Sequence, residues 1–278
     1  MAIPVPTLDD DAKQVPLASG PADARHVTVL GVRIANLHTI EAVALMQKLI
    51  WRDDPRARAI YIVNAHTLNL ACDSPEYRAV LNGADAVFGD GTGVRWAARW
   101  QGKKMIDNLV GTDLVPFFFA NTLEQRYRYF LLGSQSDILE KAVRHVTDLV
   151  PGLDVVGFHH GHYPAADHSH VLDAINDARP DVLLVAMGNP VQERWIHDNR
   201  TQLTNVRLAI GVGGLFDHWG GALTRAPRWV RRNGFEWVQL MLQQPHKWRR
   251  YLIGNPKFLA RVARDLQAQR QNGRSAAD

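Results

Sequence analysis

Asp181-Val182-Leu183-Leu184-Val185-Ala186-Met187-Gly188-Asn189-Pro190-Val191-Gln192-Glu193-Arg194-Trp195 decides how this chain is read. Residues 181–187 are an unbroken apolar run after one acid. Such a run, too short for a buried helix, predicts a strand covered on both faces. Gly188-Asn189-Pro190 ends it, and residues 192–199 are predicted to be helical. A buried strand, a tight exit and a helix make up the repeating unit of a parallel sheet.

Working outward, the same unit recurs. Residues 27–30 and 32–34, around Gly31, read as a short hairpin-like pair. Further strands are predicted at 59–63, 86–88, 127–132, 153–158 and 206–212. Thr39 is expected to cap a helix that carries Val43, Met46 and Ile50 on one face. Ser74-Pro75-Glu76 starts another helix and Asn82-Gly83 stops it. Helices are also expected near 92–100, 112–121, 136–149 and 167–178. The fold class is therefore α/β, a Rossmann-like, mostly parallel sheet with helices on both faces. In such folds ligands sit beyond the carboxyl ends of the strands. Those ends carry Asn64, Asp90, Gly133-Ser134, Gly188-Asn189 and Gly213-Gly214.

Composition narrows the class. A chain of 278 residues, 46% apolar, fits one large domain or one domain with an appendage. The single Cys72 excludes an internal disulfide and suits a reducing compartment. The first residues lack the basic and apolar regions of a secretory leader. No stretch reaches the ~20 apolar residues of a membrane span. Residues 1–24 read as a loose tail, 25–220 as the folded α/β body, and 221–278 as a basic helical appendage. That appendage holds 12 Lys and Arg against 3 Asp and Glu; the rest holds 20 against 25. Such asymmetry points to an anionic partner: nucleic acid, an anionic membrane or a phosphorylated substrate.

Asp90 lies in Phe88-Gly89-Asp90-Gly91-Thr92-Gly93, at a strand end where flanking glycines admit a substrate. It could serve as a general base or merely cap the next helix. Gly211-Val212-Gly213-Gly214 could offer backbone N–H groups to a phosphate. It lacks the dinucleotide spacing, with Phe216 where a third glycine would stand, and no P-loop is present. His159, His160, His162, His168 and His170 match no zinc spacing and read as a surface loop. The only Asp-x-Asp is Asp9-Asp10-Asp11, in the tail. Neither a metal nor a cofactor is expected, so cations must meet any diphosphate charge. The appendage supplies them, with Arg225, Arg228, Lys247 and Arg250 the candidates. Its Trp229, Trp237 and Trp248 alternate with basic residues, as at a membrane interface.

An ordered set of motifs runs from about residue 27 to 259. It comprises Asn64-Ala65, Asp90-Gly91-Thr92-Gly93-Val94, Gly111-Thr112-Asp113-Leu114, Leu132-Gly133 and Pro151-Gly152-Leu153. Then come residues 157–163, 181–195, Gly211-Val212-Gly213-Gly214-x-Phe216-Asp217, Arg225-Ala226-Pro227, Glu236-Trp237 and Gln244-Pro245. In these motifs the chain resembles the bacterial WecG/TagA/CpsF glycosyltransferases. The resemblance implies an inverting, metal-independent transfer from a UDP-sugar to a sugar on a polyprenyl diphosphate. It makes Asp90 the base and a peripheral site on the inner face of the plasma membrane the setting, with the basic segment meeting anionic lipid rather than nucleic acid. It marks Asn64, Thr92, Gly133, Asn189, Gln192, Gly213 and Gly214 as substrate-binding candidates. Homo-oligomer formation is left open. Ile62, Asn108 and Leu240 stand where many members carry Thr or Arg. The wording around Asn64-Ala65-His66-Thr67 is closer to the xanthan- and acetan-type branch, which implies glucose as the transferred sugar. The competing readings are a nucleotide- or nucleic-acid-binding module and a dinucleotide-dependent oxidoreductase.

Overall fold

The computed structural model describes residues 25–52, 54–227, 230 and 236–275. Eight strands form one sheet in the order β1-β2-β4-β3-β8-β7-β5-β6. They are β1 (His26–Val29), β2 (Val32–Ala35), β3 (Arg58–Val63), β4 (Ala86–Gly89), β5 (Arg128–Gly133), β6 (Asp154–His159), β7 (Val182–Ala186) and β8 (Leu208–Gly211). The β1–β2 pair is antiparallel and every other pairing is parallel. The hairpin reading of residues 27–34 matches this edge. Leu30 and Gly31 both take positive φ, 51° and 79°, as a tight turn between twisted strands requires.

The continuous apolar runs are explained by burial on two faces. In β7, Val182 and Leu184 face one core cluster, and Leu183 and Val185 face the other. Tyr129 and Leu131 alternate with Phe130 and Leu132 in the same way in β5. One face is covered by α1 (Thr39–Trp51), α5 (Gly111–Asn121), α6 (Ser136–Leu149) and α9 (Leu215–Trp219). The other is covered by α2 (Ala65–Asp73), α3 (Pro75–Asn82), α4 (Gly91–Trp100), α7 (His168–Ala178) and α8 (Val191–Asn199).

Three further helices follow: α10 (Glu236–Gln243), α11 (Trp248–Leu252) and α12 (Gly254–Ser275). The last lies across α2 and α4. Phe258 and Val262 are each 1% exposed and belong to the second core cluster. Asn69 Nδ2 donates to the Gly254 carbonyl at 2.7 Å, and Arg261 and Lys257 both pair with Asp73.

Several local expectations need adjustment. Thr39 is the first helical residue rather than the cap. His38 holds the cap position, and its N–H donates to Glu41 at 2.8 Å. Thr39 instead gives both its N–H and its hydroxyl to Asp107, 68 residues away. The histidines read as one surface loop are spread out. His159 ends β6, and His168 opens α7 with its ring bonded to Asn199 at 2.9 Å. Residues 1–24, Arg228 and Trp229 lie outside the described residues.

Candidate active site

The strand ends gather the polar residues picked from the sequence. At the end of β4, the Asp90 N–H donates to the Val63 carbonyl at 2.8 Å, tying β4 to β3. Asp90 occupies the cap position of α4, yet its side chain makes no capping hydrogen bond. The carboxylate is thus not consumed by the helix. Burial pushes its pKa up to about 7, and Glu236 and Asp113 push the same way, while Arg250 and Arg225 pull down. Some of the side chain still reaches solvent, so the group is accessible as well as desolvated. A carboxylate that titrates near neutrality is suited to take a proton in one step and release it later.

Open backbone also lies at three strand ends. Gly91, Gly188 and Gly213 have φ of 88°, 77° and 61°, and a Cβ on any of them would meet nothing within 4 Å. The first turns of α4 and of the loop after β8 therefore present bare peptide to a ligand. Thr92 lies half-buried in that first turn of α4, and Gly214 is exposed. Gly133 differs. A Cβ there would fall 2.3 Å from the Ala186 carbonyl oxygen, so its glycine permits β5 to close against β7.

Asn64 Oδ1 accepts from the His66 and Thr67 N–H groups and caps α2. Gln192 is fully buried. Its Oε1 accepts from the Gly213 N–H at 3.0 Å and its Nε2 donates to Glu193 at 2.7 Å. Asn189 donates to the same Glu193 carboxylate at 2.6 Å, and the Tyr77 hydroxyl donates at 2.8 Å. Glu193 is 0% exposed, and burial holds its pKa above the usual carboxylate range. It is a hub that sequence reading passed over, because an acid on a helix after a turn is expected to face water. The Asn189–Pro190 peptide is cis.

The C-terminal cations converge on the same opening. Arg225 grips Asp113 with two bonds, 2.6 and 2.8 Å. The His66 pKa is lowered to about 4, by burial first and then by Arg250 and Lys247, which places both cations beside the start of α2. Lys247 is itself lowered by burial and by Arg250. The Asp217 carboxylate accepts from the Ser134 hydroxyl at 2.7 Å, fixing α9 to the end of β5. Among the described residues, Thr112 Oγ1 and Arg225 Nε are buried polar atoms with no hydrogen-bond partner. Asp113 and Glu236 were visible in the sequence only as motif letters; their fields at Asp90 come from distant segments.

The departures also have positions. Ile62 is 7% exposed, and a Cβ on Gly111 would lie 3.2 Å from its Cδ1, so it packs under α5. Asn108 accepts the Gly91 N–H at 2.8 Å. Leu240 lies partly buried on α10. Among the described residues no group of three or more His, Cys, Asp or Glu is gathered as a metal would require.

A doubly covered parallel sheet with a desolvated carboxylate and cations near its strand ends is a class of site suited to group transfer. The family described as "Glycosyl transferase WecG/TagA/CpsF family" matches residues 27–272, and the chain belongs to it; it is a glycosyltransferase. Among its relatives is a Bacillus spizizenii N-acetylglucosaminyldiphosphoundecaprenol N-acetyl-beta-D-mannosaminyltransferase. It is 32% identical over 71% of this chain and 76% of the relative. Proteins of the same name from Bacillus subtilis strain 168 and Staphylococcus aureus strain MW2 are 28% and 27% identical. They cover 77% and 86% of this chain, and 82% and 92% of their own lengths.

Proposed function

We propose that the protein moves a sugar from a UDP-sugar to a sugar carried on a polyprenyl diphosphate, with inversion at the anomeric carbon. The observation that carries this reading is Asp90: a carboxylate with its pKa raised to about 7, at a strand end, unused by the helix it precedes. Asp90 takes the proton of the acceptor hydroxyl as that oxygen attacks the anomeric carbon. The bond from that carbon to the UDP oxygen breaks, and the pair of electrons leaves with UDP. Arg225, Lys247 and Arg250 offset the charge of the departing diphosphate, and the open glycines at 91, 188 and 213 bring peptide N–H groups to it. With these cations in place the transfer needs no divalent ion, and activity persists in excess EDTA. Loss of activity in EDTA with recovery in Mg²⁺ or Mn²⁺ would refute that point.

The lipid-linked acceptor places the enzyme on the inner face of the plasma membrane. No helix among the described residues is long and apolar enough to cross a bilayer. Leu242, Trp248, Leu252 and Ile253 are 71%, 45%, 51% and 53% exposed and lie close to Lys247 and Arg250 in the chain, a suitable interfacial anchor. The donor sugar is a UDP-hexose. Relatives are named for N-acetylmannosamine transfer, whereas Ile62, Asn108 and Leu240 depart from the pattern of amino-sugar-transferring members and the Asn64-Ala65-His66-Thr67 wording favours glucose. A panel of UDP-sugars against a lipid-linked monosaccharide identifies it. In that assay Asp90→Asn lowers turnover by roughly 10²–10⁴ with donor affinity kept. Near-normal turnover by folded Asp90→Asn protein would remove Asp90 as the base.

A further inference from the structure

Helix α4 begins at Asp90 and carries a second surface that the reaction does not use. Val94, Ala97 and Ala98 turn inward, while Arg95, Trp96, Arg99 and Trp100 turn outward. The pairs 95/99 and 96/100 are four apart, so they line one face of the helix. The loop that follows adds exposed Lys103, Lys104 and Ile106. Trp96 is 50% exposed, Trp100 43% and Ile106 41%. Trp96, Arg99 and Trp100 line a shallow open depression. No acid occurs between Gly91 and Ile106. None of the four cations has an ion-pair partner among the described residues. The nearest acid in the chain after them, Asp107, is taken up by Thr39.

We infer that this face of α4 is a second membrane-contact surface, built on the catalytic body and fitted to an anionic lipid bilayer. The charge is complementary to anionic headgroups, and the indole rings suit the headgroup depth where one side of a ring is wet. Position supports the same occupant. Ten helical residues span about 15 Å, so the face lies within that reach of Asp90. The Asp90 end of α4 also meets α12, which packs on α4 through Phe258 beside Gly93. The face on α4 and the exposed apolar residues just before α12 therefore flank one docked helix. Two contacts on either side of the opening would fix how the site faces the lipid, where a single anchor would leave it free to swivel. The inference rests on the lipid-linked acceptor proposed above, but its first readout is independent of any turnover.

The test uses the full-length protein and vesicles of phosphatidylcholine with or without phosphatidylglycerol, by sedimentation at low and high salt. One variant is Trp96→Ala with Trp100→Ala. A second is Arg95→Gln, Arg99→Gln, Lys103→Gln and Lys104→Gln together. All six positions are exposed, and thermal melts check folding. Each cation near an anionic surface is worth about fivefold in partition, so removing four should cost roughly several hundredfold at low salt. The tryptophan variant should lose about tenfold and keep its salt dependence. With a lipid-linked acceptor in vesicles both variants should slow, whereas with a short-chain soluble acceptor both should match the unmodified protein. Unchanged vesicle binding by both variants would overturn the inference. So would loss of self-association instead of lipid binding, which would make the face a contact between copies. Retention of nucleic acid that the charge variant abolishes, with vesicle binding intact, would also overturn it. If no UDP-sugar supports turnover but vesicle binding follows the variants, the proposed reaction fails and this inference stands.

Discussion

The last helix, α12, and the stretch from Glu236 to Leu252 follow one another in sequence but treat their apolar side chains in opposite ways. In α12, Phe258 and Val262 are driven into the core, and Asn69, Asp73, Lys257 and Arg261 close the seam. Helix α10 has no buried residue; Gln239 and Gln243 tie it to the backbone of Thr224 by hydrogen bonds of 2.7–3.0 Å. Leu242, Trp248 and Leu252 point outward. An apolar lock resists separation, while polar ties exchange readily with water. The first stretch therefore serves the fold, and the second places charge at the site and apolar groups toward a partner. If this division is right, substitutions in α12 cost stability, and substitutions between 236 and 252 cost activity.

The largest effect should come from the lock. Phe258→Ala should lower stability by about 3–5 kcal/mol in chemical denaturation, since a buried ring is lost and a cavity remains. The folded fraction should keep its turnover. A loss below about 1 kcal/mol would mean that α12 is held by its ion pairs instead.

Next, Lys247→Gln with Arg250→Gln should cut turnover about a hundredfold with the melting temperature unchanged. If melting falls and turnover of the folded protein does not, the division is reversed.

Much of the fold was legible because the decisive signals were local. Continuous apolar runs marked β3, β5, β7 and β8, and Pro75 and Gly83 bounded α3 correctly. The strand end at Asp90 was legible because its two flanking glycines are adjacent in sequence, while its reading as a base came from the family resemblance. The illegible part came from pairs far apart in the chain. Nothing near Thr39 shows that Asp107 will take its N–H, nor does anything near Glu193 show that Tyr77 will reach it. The resemblance marks Gln192 as a substrate-binding candidate, but its burial against the Gly213 N–H after β8, about twenty residues on, was not legible. The lock at Phe258 was missed for the same reason. Asn-Pro-Lys-Phe at the head of a basic segment gives no sign of the groove between α2 and α4.

The cross-talk between the two regions and the body can be sharpened by pH. The folded Asp90 pKa is about 7 against an unfolded value near 4, so between these values the folded state holds the extra proton. Its stability contribution is lost as pH rises through that window, and Asp90→Asn should raise the melting temperature more at pH 8 than at pH 5. In the unmodified enzyme kcat/KM should fall below about pH 7, as the base becomes protonated. Glu236→Gln removes a charge that raises this pKa, so the acid limb should move to lower pH. An unmoved limb would detach α10 from the base.

The smallest effect should be at the seam's edge. Asp73→Asn should cost less than about 1 kcal/mol, because the pairs it makes with Lys257 and Arg261 are open to water. A cost of several kcal/mol would make those pairs part of the lock.

Gly133 sets a limit for anyone who wishes to retune this enzyme. Backbone, not a movable side chain, fills the space a Cβ would need there, so no neighbouring substitution can make room. A randomised library that includes position 133 would spend nineteen-twentieths of its members at that site on misfolded chains. Asn108 is the better target. It is exposed, and its side chain accepts the N–H of Gly91, the residue after Asp90. Diversity placed there would explore donor choice while the sheet that carries it stays intact.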